Sequence, residues 1–142
     1  MKKDIEFLNF IFKNAEMGII GIDDLIEMID SEEFADLLMN QRKEYSVITK
    51  KARELLNEYG AEVEENSEIS KMRSNLMIKV SSLKNPSIKK YARMMIEGTN
   101  KGIVEIQAKI NKYEVKDEKI KILANKLVEL EENNIEELKP YL

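Results

Sequence analysis

Shifting the sequence on itself by 84 residues lays Gly18, Ile19, Ile20 and Ile22 over Gly102, Ile103, Val104 and Ile106. The second copy lies in the stretch Met94 to Ile106, MMIEGTNKGIVEI. A duplication of this kind asks for two similar units packed against each other, and the spacing of the apolar residues says what the units are. Ile5, Leu8, Phe12, Ala15, Ile19, Ile22, Ile26 and Ile29 follow in steps of three and four, the period of an amphipathic helix over about residues 3–29. Ala92, Ile96, Thr99, Ile103, Ile106, Ile110 and Tyr113 repeat that stripe 84 residues later and predict a helix over 86–113.

Each of these helices is followed by a partner. Ser31, a good N-cap backed by Glu32 and Glu33, opens a helix over 32–59 with the stripe Phe34, Leu38, Gln41, Tyr45, Ile48, Ala52, Leu55 and Tyr59; Gly60 closes it. Asp117 opens another over 118–139, with Ile120, Leu123, Leu127, Leu130, Asn134, Leu138 and Tyr141 on one face. Between the pairs, the acidic segment AEVEENSEIS leads to a short helix over 68–83, carrying Ile69, Met72, Leu76, Ile78, Val80 and Leu83. It is too apolar to stand free in water and is expected to lie across the bundle. Asn85 and Pro86 then restart the chain as N-cap and first helical residue.

Five glycines and two prolines in 142 residues leave few breaks, and the Glu, Lys, Leu and Ile content favours helix over sheet. Short turns make each pair antiparallel, and the long connection between the pairs can cross the bundle's length. The chain is therefore expected to be a single all-α domain, 1–142: a four-helix bundle of two antiparallel hairpins joined by a long crossover with a short fifth helix.

Several functions are argued against by composition. A net charge of -4, with lysines interleaved among glutamates, gives no basic face for nucleic acid. No apolar run spans a membrane, and MKKDIEFLNF turns polar too early for a signal peptide, so a cytoplasmic protein is expected. With neither Cys nor His, thiolate chemistry, disulfides and the commonest acid/base and metal ligand are absent. No phosphate loop, nucleotide fingerprint or serine triad is present, so no enzyme activity and no cofactor are expected.

The element order, the duplication and the segments KNAEMGIIGID, MIEGTNKGIVEI and LEENNIEELKPYL resemble small uncharacterised bacterial proteins of the ferritin-like superfamily, mostly from Firmicutes. The resemblance covers nearly the whole chain and implies the ferritin-like arrangement. Metal-bearing members carry one Glu on each of two helices and a Glu-x-x-His pair on each of the other two, all facing inward. Here Glu16 matches the first position, and its repeat partner is Asn100. Glu44 and Glu131 match the other two carboxylates, but Val47 and Asn134 stand where the histidines belong. The residual metal candidates are Glu16, Glu44 and Glu131, a set that lacks the ligands of a redox dimetal centre.

The bland readings compete. Glu16 and Glu44 can point to water, and the acidic run Glu129, Glu131, Glu132, Glu136 and Glu137 reads as a solvated face. Gln41, Asn100 and Asn134 are expected to form an interior polar layer that sets helix register. Gly18, Gly21, Gly98 and Gly102 each cost a helix about 1 kcal/mol, which points to close helix approach. Gly98 and Gly102 have the spacing of a membrane dimer motif, which Asn100 and Lys101 exclude. A small-molecule pocket lined by the glycines ranks below tight packing. Met17, Met28 and Met94 fall off the main stripes, where they can cover the crossover or an oligomer contact. The expected role is non-enzymatic, structural or protein-interaction, with self-association into a homo-oligomer, a dimer first. The alternative is a degenerate carboxylate-type metal-binding protein.

Overall fold

The computed structural model describes residues 1–64 and 79–142. Among these, four long helices form a bundle: α1 (Lys2–Ile26), α2 (Glu32–Glu58), α3 (Ile88–Lys112) and α4 (Glu118–Leu138), the last running into a 3-10 turn at Lys139–Tyr141. No strand occurs among the described residues. None of the described helices is long and apolar enough to cross a membrane.

Local chemistry sets most of the helix ends. Ser31 Oγ accepts the Phe34 backbone N–H at 3.2 Å, and Asp117 Oδ1 accepts that of Lys119 at 2.9 Å. Both satisfy donors that a helix N-terminus leaves open. Gly60, at φ +71°, ends α2 in the left-handed region where glycine carries no Cβ penalty. Two boundaries differ from the sequence reading. α1 stops at Ile26 because Met28 and Ile29 bond back to Leu25 and Ile26, three residues away, and tighten into a turn. α3 starts two residues late: Ser87, not Asn85, is the N-cap, accepting the Lys90 N–H at 3.3 Å. Asn85 instead takes φ +52°, a conformation that Asn tolerates better than most residues.

Contacts along the helices fix their directions. Gly18 faces Tyr45, Asp23 pairs with Arg42 at 2.7 Å, and Arg53 lies over the Phe12 ring at 4.7 Å, so α1 and α2 are antiparallel. Phe7 meets Tyr113 edge-on at 5.9 Å while Asn14 bonds to Gly102, which makes α1 and α3 antiparallel too. Along α2 and α4, Glu33 meets Tyr141, Gln41 meets Asn134 and Tyr59 meets Asp117. The helices thus neighbour one another in the order α1, α2, α4, α3. α2 ends, at Gly60, at the opposite end of the bundle from Ser87, where α3 begins.

The core is unevenly shared. α1 buries Phe7, Leu8, Ile11, Phe12, Ala15, Ile19, Ile22 and Leu25, a band wider than one stripe because three helices touch it. α2 buries its expected stripe from Phe34 to Leu55, Gln41 included, while Tyr59 is half-buried. α3 buries only Tyr91, Ala92, Thr99 and Ile106, and its stripe residues Ile96, Ile103 and Ile110 are half-buried. Apolar area left in water forgoes stabilisation of about 25 cal/mol per Å². Among the described residues the seam beside α3 is therefore the less completely buried side. Most of the short helix expected over 68–83 lies outside the described residues, with Ile69, Met72, Leu76 and Ile78; residues 79–81 are helical, and Val80 and Leu83 pack on the core.

Candidate functional site

A cleft of about 470 Å³ opens in the α1–α3 seam. Gly18 and Gly21 of α1 and Gly98 and Gly102 of α3 all line it. Met17, Met94 and Met95 give it flexible apolar walls. Tyr45 of α2, Thr99 of α3 and Glu131 of α4 form its inner wall. Lys79, Lys101 and Glu105, all exposed, line the outer part.

The glycines act differently from one another. A Cβ on Gly18 would stand 2.5 Å from Cε2 and Cζ of Tyr45, so the phenol ring occupies the place of the missing side chain. A Cβ on Gly102 would stand 2.8 Å from Glu131 Oε2. These two positions correspond in the repeat, and each admits one member of the same pair, because Tyr45 Oη donates to Glu131 Oε2 at 3.3 Å. Gly98 is exposed and a Cβ there would meet nothing within 4 Å among the described residues, so it does not serve close helix approach between them.

Glu131 is the unusual group. It is 3% exposed, and its Oε1 is buried without a hydrogen-bond partner. Burial pushes its carboxyl up to about 8; the Tyr45 hydrogen bond pulls the other way and the Glu105 charge adds to the rise. Near neutral pH it therefore holds its proton. The Tyr45 phenol is raised as well, first by burial and then by Glu131, with Asn134 and Thr99 acting in opposition. Asn14 crosses the seam, its Nδ2 donating to the Gly102 carbonyl at 3.0 Å while its Oδ1 stays buried and unpartnered. Asn134 is fully buried, its side chain near the Tyr45 phenol without a hydrogen bond of good geometry; Gln41 Nε2 reaches the Asn134 backbone carbonyl, at 3.3 Å, and not its side chain.

The carboxylates picked out in the sequence do not come together. Glu44 is exposed. Glu16 sits on the other side of α1, in a second depression of about 440 Å³ with Phe12, Arg53, Asn57 and residues 62–64. Only Glu131 faces the interior, and it leaves the solvated acidic face expected for its neighbours. Among the described residues no group of three or more His, Cys, Asp or Glu could hold a metal ion. Asn100, expected in the polar layer, is exposed; Thr99, one residue earlier and on the apolar stripe, is the buried polar residue of α3.

Glu131 could have been found from spacing. It lies four residues after Leu127 and three before Asn134, a step pattern as helical as the one through Leu130. Preference for the apolar residue selects Leu130, which is only half-buried. Met17 and Met94, off their stripes in sequence, prove to be cleft walls, whereas Met28 is 41% exposed. Compared with family models, with curated proteins and with solved structures, the chain finds no match.

Proposed function

We propose that this protein is a non-enzymatic bundle of the ferritin-like arrangement whose role is to hold a small organic molecule in the α1–α3 cleft. The observation that carries the reading is the cleft itself, lined by four glycines and three methionines with a fully buried carboxyl on its inner wall. A concave, mostly apolar space with a few convergent polar groups is the usual form of a ligand site. Supporting the ferritin-like part are the helix order α1, α2, α4, α3, the antiparallel direction of the neighbouring pairs, and the placement of Gly60 and Ser87 at opposite ends. Among the described lining residues the hydroxyl paired with a carboxyl is that of Tyr45, but burial raises the phenol and keeps Glu131 protonated near neutral pH, which is why binding is proposed and not turnover.

The structural or interaction role expected from the sequence has less behind it. Away from Met1 and Leu142, the large exposed apolar side chains among the described residues, Met28, Met39, Val47, Val104 and Ile122, are spread over the α1–α2 turn and three helices, and single exposed apolar side chains are ordinary on a protein surface.

The test is a titration of the full chain with octanol, followed by methionine-methyl NMR and calorimetry. Saturable binding is expected, with the methyl signals of Met17, Met94 and Met95 moving and those of Met28 and Met39 staying in place. Gly98→Leu, which puts a side chain into open space at the cleft, is expected to abolish it while leaving the helices intact. Unmoved Met17, Met94 and Met95 signals at saturating octanol would end the proposal.

A further inference from the structure

With Glu131 ionised, the inner wall of the cleft is rich in acceptors. Glu131 Oε1 and Asn14 Oδ1 are both buried and unpartnered, and both lie 3.5 Å from the point where a Gly102 Cβ would stand. Oε2 of Glu131 lies 2.8 Å from the same point and receives only the Tyr45 hydroxyl. Buried polar atoms without partners are costly, and a ligand that supplies the missing donors gains what the empty protein forgoes. Resting on the cleft reading above, we infer that the ligand carries a primary ammonium group, seated against Glu131 and Asn14, on an apolar body that runs outward between Met17, Met94 and Met95.

An ammonium offers three N–H donors and no lone pair, which suits a wall of acceptor oxygens. A hydroxyl brings one donor together with two lone pairs, and a carboxylate brings acceptors alone. The charged and titratable groups facing Glu131 agree with a cation: Tyr45 from α2 is a neutral phenol, Glu105 from α3 carries a negative charge, and Asn14 from α1 is uncharged. Lys79 and Lys101 are exposed, on the outer part of the cleft, where the apolar body of the ligand separates them from its ammonium.

Protons balance in a way that can be measured. In the empty cleft Glu131 is protonated near neutral pH. When the ammonium enters, the Glu131 O–H bond breaks, its proton goes to the buffer, and the carboxylate left behind accepts the ammonium N–H groups. No bond of the ligand is made or broken. Binding of one cation thus releases close to one proton, and affinity rises roughly tenfold per pH unit below the Glu131 pKa of about 8 before flattening.

The experiment is calorimetric titration of the full chain with octylammonium chloride, octanol and sodium octanoate, below micelle-forming concentrations, in two buffers of different ionisation heat. Octylammonium is expected to bind at least tenfold more tightly than octanol, with octanoate weakest, and only octylammonium heats should depend on the buffer. Glu131→Gln is expected to erase both the ammonium preference and the buffer dependence while octanol binding persists. Asn14→Ala gives a second readout, a several-fold loss for octylammonium with octanol unchanged. Octanol or octanoate binding the wild type as tightly as octylammonium, or octylammonium binding without proton release, overturns the ammonium assignment and leaves the cleft reading standing. Failure of all three ligands overturns the cleft reading and this inference together.

Discussion

Three tyrosine–carboxylate pairs join α2 to α4 and the residues that flank them, and two of these behave in opposite ways. Near the α3–α4 turn, Tyr59 Oη donates to Asp117 Oδ2 at 2.5 Å, where both residues are partly exposed. In the interior, Tyr45 Oη donates to Glu131 Oε2 at 3.3 Å, with both nearly inaccessible. The Tyr59 hydrogen bond holds the Asp117 carboxyl below its ordinary value, helped by the Lys119 backbone N–H. Burial carries the Glu131 carboxyl up to about 8 despite the same kind of donor. One phenol hydrogen bond therefore does not offset the loss of water around a buried carboxylate. The difference separates a structural clamp from a group left in want of a partner.

The largest expected effect tests the buried pair. Glu131 is protonated in the folded state and ionised in the unfolded state between about 4.5 and 8, so its contribution is fully present below 4.5 and is lost as pH rises through that window. Glu131→Gln removes the dependence and is expected to stabilise the protein by roughly 3 kcal/mol at pH 7. Urea denaturation of both proteins at pH 5, 7 and 8 checks it; parallel pH profiles would mean that Glu131 is not desolvated.

Gly18→Ala comes next. Its new methyl would stand 2.5 Å from the Tyr45 ring, and displacing a buried ring outweighs the gain in helix propensity, for a net loss of about 2 kcal/mol. The measurement is the denaturation midpoint together with Tyr45 ring signals, which should shift. At the exposed pair, Tyr59→Phe is expected to cost about 1 kcal/mol after allowing for exposure. That loss is present above the unfolded Asp117 value of 3.8 and fades as pH falls through the lowered folded value, a sign opposite to that of Glu131. Gly98→Ala has the smallest effect, a gain of about 0.8 kcal/mol in thermal unfolding, because the new methyl meets none of the described residues.

What the sequence makes legible here is local chemistry. Ser31, Gly60 and Asp117 act on their own backbone neighbours, so their roles can be read from a few adjacent residues. Asn85 was misleading because two polar residues flank Pro86 and either can cap; only the conformation chosen by the chain selects Ser87. The glycines show the limit more sharply. Gly18 and Gly98 look alike in sequence, yet one is filled by a tyrosine ring from another helix and the other faces open space. What a missing side chain does depends on the residue opposite, which lies far away along the chain. Glu131 fails to stand out for the same reason: a carboxylate at a stripe-compatible position is read as solvated until Tyr45 and Gly102 are seen to enclose it.

The arrangement of two hairpins also dictates an order of events during folding. Each hairpin closes through neighbours in sequence, whereas Tyr45 and Glu131 are 86 residues apart and Asn14 and Gly102 are 88 apart, so the contacts between hairpins carry the larger loop-closure cost. Glu131 belongs to the α3–α4 hairpin and keeps its water until α2 arrives. Its carboxylate must then gain a proton as the hairpins dock. At neutral pH the folding of this chain draws that proton from solution, and an indicator dye in weakly buffered refolding mixtures would time the meeting of the two halves.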